Sequence, residues 1–149
     1  MKKNICFLVI CFIITAPVFS QTAAEIERFL ATDAVIYEDA ASFIIRAADI
    51  HSNSSTEAFS YAAERNWLPK KAVPEGQASL EGISLLLMQS FGMKGGFFYN
   101  LAQNPHYAYR ELVYRNIIQG RVDPQMAVSG DLLLFMVNRI LSFQEANQL

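Results

Sequence analysis

Two short stretches of this chain, ERNWLPK (residues 64–70) and YRNIIQG (residues 114–120), carry the same Arg-Asn step fifty positions apart. Shifting the sequence by 50 residues aligns much more than these two strings, and no gap is needed. At this offset Pro74 aligns with Pro124. The serine, the acidic residue and the apolar run that follow each proline also align. One short string can recur by chance, but so many matches at one offset indicate an internal duplication.

Each copy is typical of a helix, a loop and a second helix. We predict helices over residues 57–65, 80–91, 107–115 and 130–143. Asn66 and Asn116 stand where the first helix of each copy has to end. Because asparagine tolerates the left-handed backbone conformation, we expect both residues to adopt it just past the helix end.

The predicted helix starts carry capping residues. Ser79 and Ser129 precede apolar runs, where a hydroxyl can accept hydrogen bonds from unpaired backbone amides. Ser55 or Thr56 is expected to cap the helix over residues 57–65, and Asn104 the helix over residues 107–115. Glu81 and Asp131 fall in the first turn of the second helices, where the helix dipole favours a carboxylate.

A third, degenerate copy precedes the other two. Residues 37–49 match the second helix, with Asp39 at the acidic position, and residues 23–33 form a shortened first helix. The offset from Asp39 to Glu81 is 42 residues instead of 50, so this match is weaker. The sequence predicts an all-α domain of three helix–loop–helix repeats, over residues 22–50, 55–92 and 104–143.

The first twenty residues have the pattern of a secretory signal peptide. Two lysines precede an apolar run over residues 5–16, and small residues lead to a cleavage position after Ser20. The alternative is an uncleaved anchor, but the run is short for a span of ~20 residues. We therefore expect an exported protein of the bacterial periplasm or cell surface, with residues 21–149 as its single domain and no membrane span after cleavage.

The composition of the predicted mature chain excludes some partners. Both cysteines, Cys6 and Cys11, lie in the signal segment, so the core alone has to hold the domain. Without Lys2 and Lys3 there are ten basic and fourteen acidic side chains, a net charge of −4. No basic stripe remains, so a nucleic-acid partner is not expected.

The three-copy pattern resembles the S-layer homology module. That family closes its first helix on a Gly-Ile-Ile-x-Gly-like turn, which residues 116–120 match well and residues 66–68 match in part. The resemblance implies a pseudo-threefold helical bundle and binding to the cell envelope. The chain also resembles small exported envelope proteins of bacteria such as spirochaetes. It lacks the arginine that the family carries at the start of the second helix, near Asp39, Glu81 and Asp131 here, which puts binding of wall polymers in doubt.

The sequence offers no catalytic constellation. Its two histidines, His51 and His106, have no spacing typical of a metal site, and the mature chain has no thiol. The glycine-rich residues 92–96 lack the Lys-Ser/Thr ending of a phosphate-binding loop. We therefore predict a protein that is not an enzyme and has no cofactor or metal.

The segment between the two best copies carries the candidate binding residues. Glycines at 92, 95 and 96 break the helix and aromatic residues follow. The candidates there are Phe98, Tyr99, His106, Tyr107, Tyr109 and Arg110. Such aromatic surface beside cations can bind a protein or a glycan. The alternative is that Phe97, Phe98 and Leu101 fill the bundle between the second and third units.

Arg65 and Arg115 are further candidates with two interpretations. A cation at a helix C-terminus complements the helix dipole, which makes a structural role sufficient. Alternatively, two arginines one repeat apart grip an anionic group. The sequence thus leaves three functional hypotheses: binding of an envelope protein or wall glycan, a structural or assembly subunit of a periplasmic complex, and an enzyme acting on wall polymers.

Overall fold

A computed structural model describes residues 18–120 and 122–146, and the described chain is all-α. Most of the predicted signal peptide, residues 1–17, lies outside the described residues. The helices are α1 (Val18–Leu30), α2 (Tyr37–Ala47), α3 (Ser55–Glu64), α4 (Leu80–Ser90), α5 (Phe97–Ala102), α6 (Pro105–Tyr114) and α7 (Gly130–Ala146). Five of them lie where the repeat predicts, within a few residues at each end, whereas α1 begins five residues before the predicted start at residue 23, within the predicted signal segment. The short helix α5 was not predicted.

Three helix starts of the described chain are capped by a side chain, whereas the hydroxyl of Ser129, a predicted cap, donates to the Asp131 carboxylate. Ser79 accepts from the amide of Gly82 at 3.2 Å, and Asn104 accepts from the amide of Tyr107 at 3.0 Å, as predicted. Helix α3 begins earlier than expected: Ser54, and not Ser55 or Thr56, accepts from the amide of Glu57 at 3.1 Å. Capping of this kind satisfies amides that have no partner inside the helix.

Five of the described helices end on a left-handed residue, and one of these is α5, which ends at Gln103 with φ 42°. Asn66 has φ 58° and Asn116 has φ 56°, which confirms the predicted stops, and Asp49 and Gly92 end α2 and α4 in the same way. After Asn66, the amide of Trp67 donates to the carbonyl of Ala62 at 2.9 Å. This bond closes the last turn of α3 back on itself, so the chain direction after each helix is fixed locally.

The loops between helices are tied to one another through three backbone hydrogen bonds that form a closed ring. The amide of Val35 donates to the carbonyl of Val128 at 2.8 Å, that of Val128 to Ala78 at 3.1 Å, and that of Ala78 to Val35 at 2.9 Å. All three residues are buried. Each belongs to a different sequence unit and lies two residues before a second helix of the repeat. The first unit is therefore offset from the second by 43 residues and not by the predicted 42, which makes Glu38, and not Asp39, the counterpart of Glu81. The ring therefore fixes the three second helices, α2, α4 and α7, relative to one another.

Loop carbonyls also take up the first amides of these helices. The carbonyl of Pro74 accepts from Glu38 at 3.0 Å, and the carbonyl of Pro124 accepts from Glu81 at 2.9 Å. Each repeat proline thus lies in a loop that caps the second helix of the preceding unit. Gly130, at the start of α7, donates to the carbonyl of Thr32 at 2.9 Å, so the third unit is joined to the first.

Helix packing follows these connections. The most extensive contacts join α2 with α3 and α4 with α6, and α1 packs against α7. The helices of one sequence unit, α3 with α4 or α6 with α7, are not among the extensive pairs. Each second helix therefore packs against the first helix of the next unit, which differs from packing within each repeat. Helix α4, buried along most of its length, lies at the centre of the core.

Candidate functional site

The aromatic segment between α4 and α6 folds into a turn and the short helix α5. Asn100 closes this turn, since its side chain accepts from the Gly95 amide at 3.2 Å and donates to the Gly95 carbonyl at 2.7 Å. Gly95 is required here because a Cβ at this position would lie 2.4 Å from the Tyr99 ring. Gln103, with φ 42°, ends α5 and turns the chain into α6.

Helix α5 exposes large apolar side chains. Phe97 is 75% exposed, Leu101 is 74% exposed and Phe98 is 61% exposed. The interpretation that these residues fill the bundle is therefore wrong. The segment that carries them is only six residues long, and among the helices of residues 18–120 and 122–146 its extensive contacts are with α6.

Helix α6 continues this surface. Tyr107, Arg110, Glu111 and Tyr114 recur at the spacing of one helix face and line a shallow cavity of about 200 Å³ with Phe97 and Phe98. The Phe98 and Tyr107 rings stack with centroids 5.8 Å apart. We name this surface the connector patch. It consists of Phe97, Phe98, Leu101, Tyr107, Arg110 and Tyr114.

His106 lies at the edge of the connector patch. Its ring meets that of Tyr107 edge-on, with centroids 5.5 Å apart, and its side chain is exposed. The structure thus brings Phe98, His106, Tyr107 and Arg110 together, as the sequence predicts. It adds Tyr114, which is 83% exposed and which the sequence analysis did not select. The spacing of Tyr107 and Tyr114, two helical turns apart, is the signal that could have found it.

Tyr99 is a core residue and not a surface candidate. Only 3% of it is exposed, and its hydroxyl oxygen accepts from the Gln89 amide at 3.0 Å. Burial raises the pKa of Tyr99 to about 12, against the smaller opposing effect of the Gln89 hydrogen bond. Its role is to hold α5 against α4 beneath the connector patch.

Tyr109 also has an internal partner. Its hydroxyl donates to the carbonyl of Val122 at 2.6 Å, and the ring is half-buried against the core. The bond fixes the loop that follows α6. Neither Tyr99 nor Tyr109 therefore offers its polar group to a ligand, although both lie in the predicted segment.

Arg65 and Arg115 have different surroundings. The Arg65 guanidinium lies 3.5 Å from the centroid of the Tyr61 ring on the same helix. Nε of Arg115 lies 3.3 Å from the Glu111 carboxylate, and its Nη2 donates to the carbonyl of Lys94. Described contacts join neither arginine to the other, so the structure gives no support to a shared anion grip by this pair.

Glu111 pins the turn before α5 to α6. Its second carboxylate oxygen accepts from the Gly96 amide at 2.9 Å, while the first pairs with Arg115. Together with the Arg115 contact to Lys94, this bond anchors the glycine-rich turn at two points. The turn that carries the connector patch is therefore held in place before binding. This lowers the cost in conformational entropy of ordering the patch when a partner binds.

The acids at the starts of the second helices have different surroundings. The hydroxyl of Ser129 holds the pKa of Asp131 below its usual range, while burial, with a smaller effect of Glu38, raises that of Asp39. Each acid lies at a separate helix start. The part of the chain that the structure describes holds no group of three or more His, Cys, Asp or Glu side chains placed to bind a metal ion.

Within residues 18–120 and 122–146, no helix combines the length and apolar character needed to cross a membrane. Neither a protein-family model nor a curated protein nor a solved structure matches this chain.

Proposed function

We propose that this chain is a non-enzymatic, exported envelope protein that binds a protein partner through the connector patch. The observation that carries the proposal is the exposure of Phe97, Phe98 and Leu101 on one six-residue helix. Single exposed apolar residues are common on protein surfaces, but a contiguous group marks an interaction site. Fully burying each such side chain against a partner contributes roughly 1.5–3 kcal/mol.

The chemistry of the patch favours a protein over a glycan. Sugars require several hydrogen-bonding groups around an aromatic ring, whereas Phe97, Phe98 and Leu101 carry none. The Glu111 carboxylate is occupied by Arg115 and the Gly96 amide. Arg110 and Tyr114 remain at the rim, and an apolar centre with a polar rim is typical of protein–protein interfaces.

We further propose that the three units are degenerate S-layer homology-like copies around a pseudo-threefold axis. The ring of hydrogen bonds through Val35, Ala78 and Val128 supports this arrangement, because one equivalent residue of each unit takes the same part in it. Wall-polymer binding at the helix starts is not part of the proposal, since no arginine stands there. Export rests on the signal pattern of residues 1–20.

The binding proposal can be tested with a double variant. The chain with Phe98→Asp and Leu101→Asp is immobilised beside the unchanged chain, and both are exposed to extracts of the envelope proteins and to purified wall material. We expect a defined envelope protein to bind the unchanged chain and to be lost from the variant. Both chains should unfold at the same temperature, because the two side chains contribute little to the core.

A matched control is Val73→Asp, which introduces the same charge at a position that is 57% exposed and outside the patch. This control should keep the partner. Equal capture by all three chains would contradict the proposal. Retention of wall material by the unchanged chain, lost in the double variant, would instead assign the patch to a glycan.

Export is tested separately. Chain recovered from the envelope fraction of cells should begin at Gln21, the residue after the expected cleavage position. An intact N-terminus in the cytosolic fraction would contradict export without bearing on the connector patch.

A further inference from the structure

A second surface lies on the outer face of α7 and shares no lining residue with the connector patch. It is a cavity of about 450 Å³ lined by Arg115, Phe135, Asn138, Arg139, Ser142 and Phe143. Five of these residues come from α7 at spacings of three or four, so they share one face of the helix. The sixth, Arg115, reaches the cavity from the end of α6. We name this cavity the α7 pocket.

The two arginines of the α7 pocket differ in their partners. The charge of Arg115 is offset by Glu111, and two of its nitrogens are engaged by Glu111 and the Lys94 carbonyl. The guanidinium of Arg139 lies 5.5 Å from the centroid of the Phe135 ring. Over residues 18–120 and 122–146, it forms no ion pair or hydrogen bond. Among the described residues that line the pocket, Arg139 is therefore the cation without a carboxylate partner, and none of them uses its hydrogen-bond donors.

A comparison with the preceding unit shows that the fold does not require an arginine at position 139 or an aromatic ring at position 135. At the 50-residue offset Arg139 corresponds to Gln89, and Phe135 corresponds to Leu85. Gln89 donates to the Tyr99 hydroxyl and Leu85 is buried, so both serve the core. In α7 the same positions face outward, and Phe135 is 40% exposed. The third unit thus presents a cation and an aromatic ring where its sister copy has internal packing.

We propose that the α7 pocket binds a carboxylate carried on an apolar group. The planar guanidinium of Arg139 can donate two parallel hydrogen bonds to a carboxylate. One uncompensated charge matches a monoanion better than a dianionic phosphate. Asn138 and Ser142 add neutral hydrogen-bonding groups, and the ring of Phe135, which is 40% exposed, receives the apolar part of the ligand. The same chemistry occurs in a free apolar acid and in the C-terminal residue of a peptide.

The test titrates the whole chain with N-acetyl-phenylalanine and with its amide, followed by calorimetry or by amide NMR shifts. We expect the acid to bind at least about tenfold more tightly than the amide, because a charge-assisted hydrogen bond is lost. Arg139→Gln, which installs the residue of the sister copy, should reduce affinity for the acid by about the same factor. Arg139→Lys keeps the positive charge but removes the planar guanidinium that donates two parallel hydrogen bonds. We therefore expect this variant to bind the acid with intermediate affinity.

Arg65→Gln is the matched control, since it removes a cation from an exposed site on another helix, and it should bind the acid as the unchanged chain does. Equal affinity for acid and amide, or unchanged binding by Arg139→Gln, would overturn the proposal. Tighter binding of phenyl phosphate than of the acid would overturn the carboxylate assignment. A peptide ending in phenylalanine that binds more tightly than the free acid identifies a peptide terminus as the ligand, and the reverse order identifies a free acid; both orders support the proposal.

Discussion

The carbonyl oxygen of Phe29 occupies the space where a side chain at Gly130 would begin. A Cβ placed on Gly130 would lie only 1.8 Å from that oxygen, and the amide of Gly130 donates to the nearby carbonyl of Thr32 at 2.9 Å. The start of α7 and the end of α1 are therefore in direct backbone contact, a distance that only glycine permits.

Gly130→Ala should destabilise the protein by about 1–3 kcal/mol, because α7 would have to move away from α1 and strain the contact. Urea unfolding monitored by circular dichroism measures this loss. Gly96→Ala is the control, since the nearest atom to its added Cβ is the flexible Glu111 carboxylate at 3.4 Å. It should cost less than about 1 kcal/mol, the size of a helix-cap effect. If both variants lost the same free energy of unfolding, the contact with Phe29 would not explain why position 130 is glycine.

Asn116 should respond to substitution as a left-handed residue, given its φ of 56°. Asn116→Gly should leave stability nearly unchanged, whereas Asn116→Val should lower it by about 1–2 kcal/mol, because a β-branched side chain resists this conformation. The same change at Asn138, an exposed helical position, should have little effect. Thermal unfolding of the three variants checks the prediction, which similar midpoints for the Gly and Val variants would contradict.

Tyr109→Phe should destabilise the protein by about 1 kcal/mol, because the carbonyl of Val122 loses the hydroxyl that donates to it. Tyr114→Phe removes a hydroxyl from a side chain that is 83% exposed, so it should leave the free energy of unfolding unchanged. Denaturant midpoints of both variants separate the two roles. If Tyr109→Phe keeps full stability but loses binding of the envelope partner, Tyr109 belongs to the binding surface after all.

Stability should depend on pH through Tyr99. Burial raises its pKa to about 12 in the folded chain, whereas a tyrosine in the unfolded chain ionises near pH ~10. Between these values the unfolded state has released a proton that the folded state keeps, so stability falls as the pH rises, by up to about 3 kcal/mol. Below the unfolded pKa the contribution is fully present. Urea midpoints across this alkaline range should therefore fall more steeply for the unchanged chain than for Tyr99→Phe, and parallel curves would contradict the assignment.

Much of the local structure could be predicted from the sequence, because the signals are local. The stops at Asn66 and Asn116 and the caps at Ser79 and Asn104 depend on residues within one or two turns. The duplication then transfers each local interpretation from one copy to the other. Helix α5 was missed because the glycines before it indicate a break and it is too short to show a helical period.

The arrangement of the candidate site depended on contacts that no local pattern contains. Tyr99 and Phe98 are neighbours in an aromatic run, yet one is buried and the other exposed, because only Tyr99 points at Gly95 and Gln89. Tyr109 meets Val122, which lies beyond the end of its helix. Arg65 and Arg115 are equivalent in the repeat but differ in surroundings, since only Arg115 has Glu111 one turn earlier and the connector turn beside it.

The ring of hydrogen bonds through Val35, Ala78 and Val128 joins the loops before α2, α4 and α7 into a closed circuit. In an open solenoid each repeat contacts only its neighbours, so a subset of repeats can fold and the array can fray from a terminus. Here the last unit donates to the second and accepts from the first, and the bond from Val35 to Val128 links loops near opposite ends of the described chain. Removing any one unit leaves two buried loops with an unpaired amide or carbonyl. The three units should therefore fold and unfold as one cooperative body, with a single sharp transition and no stable two-unit fragment.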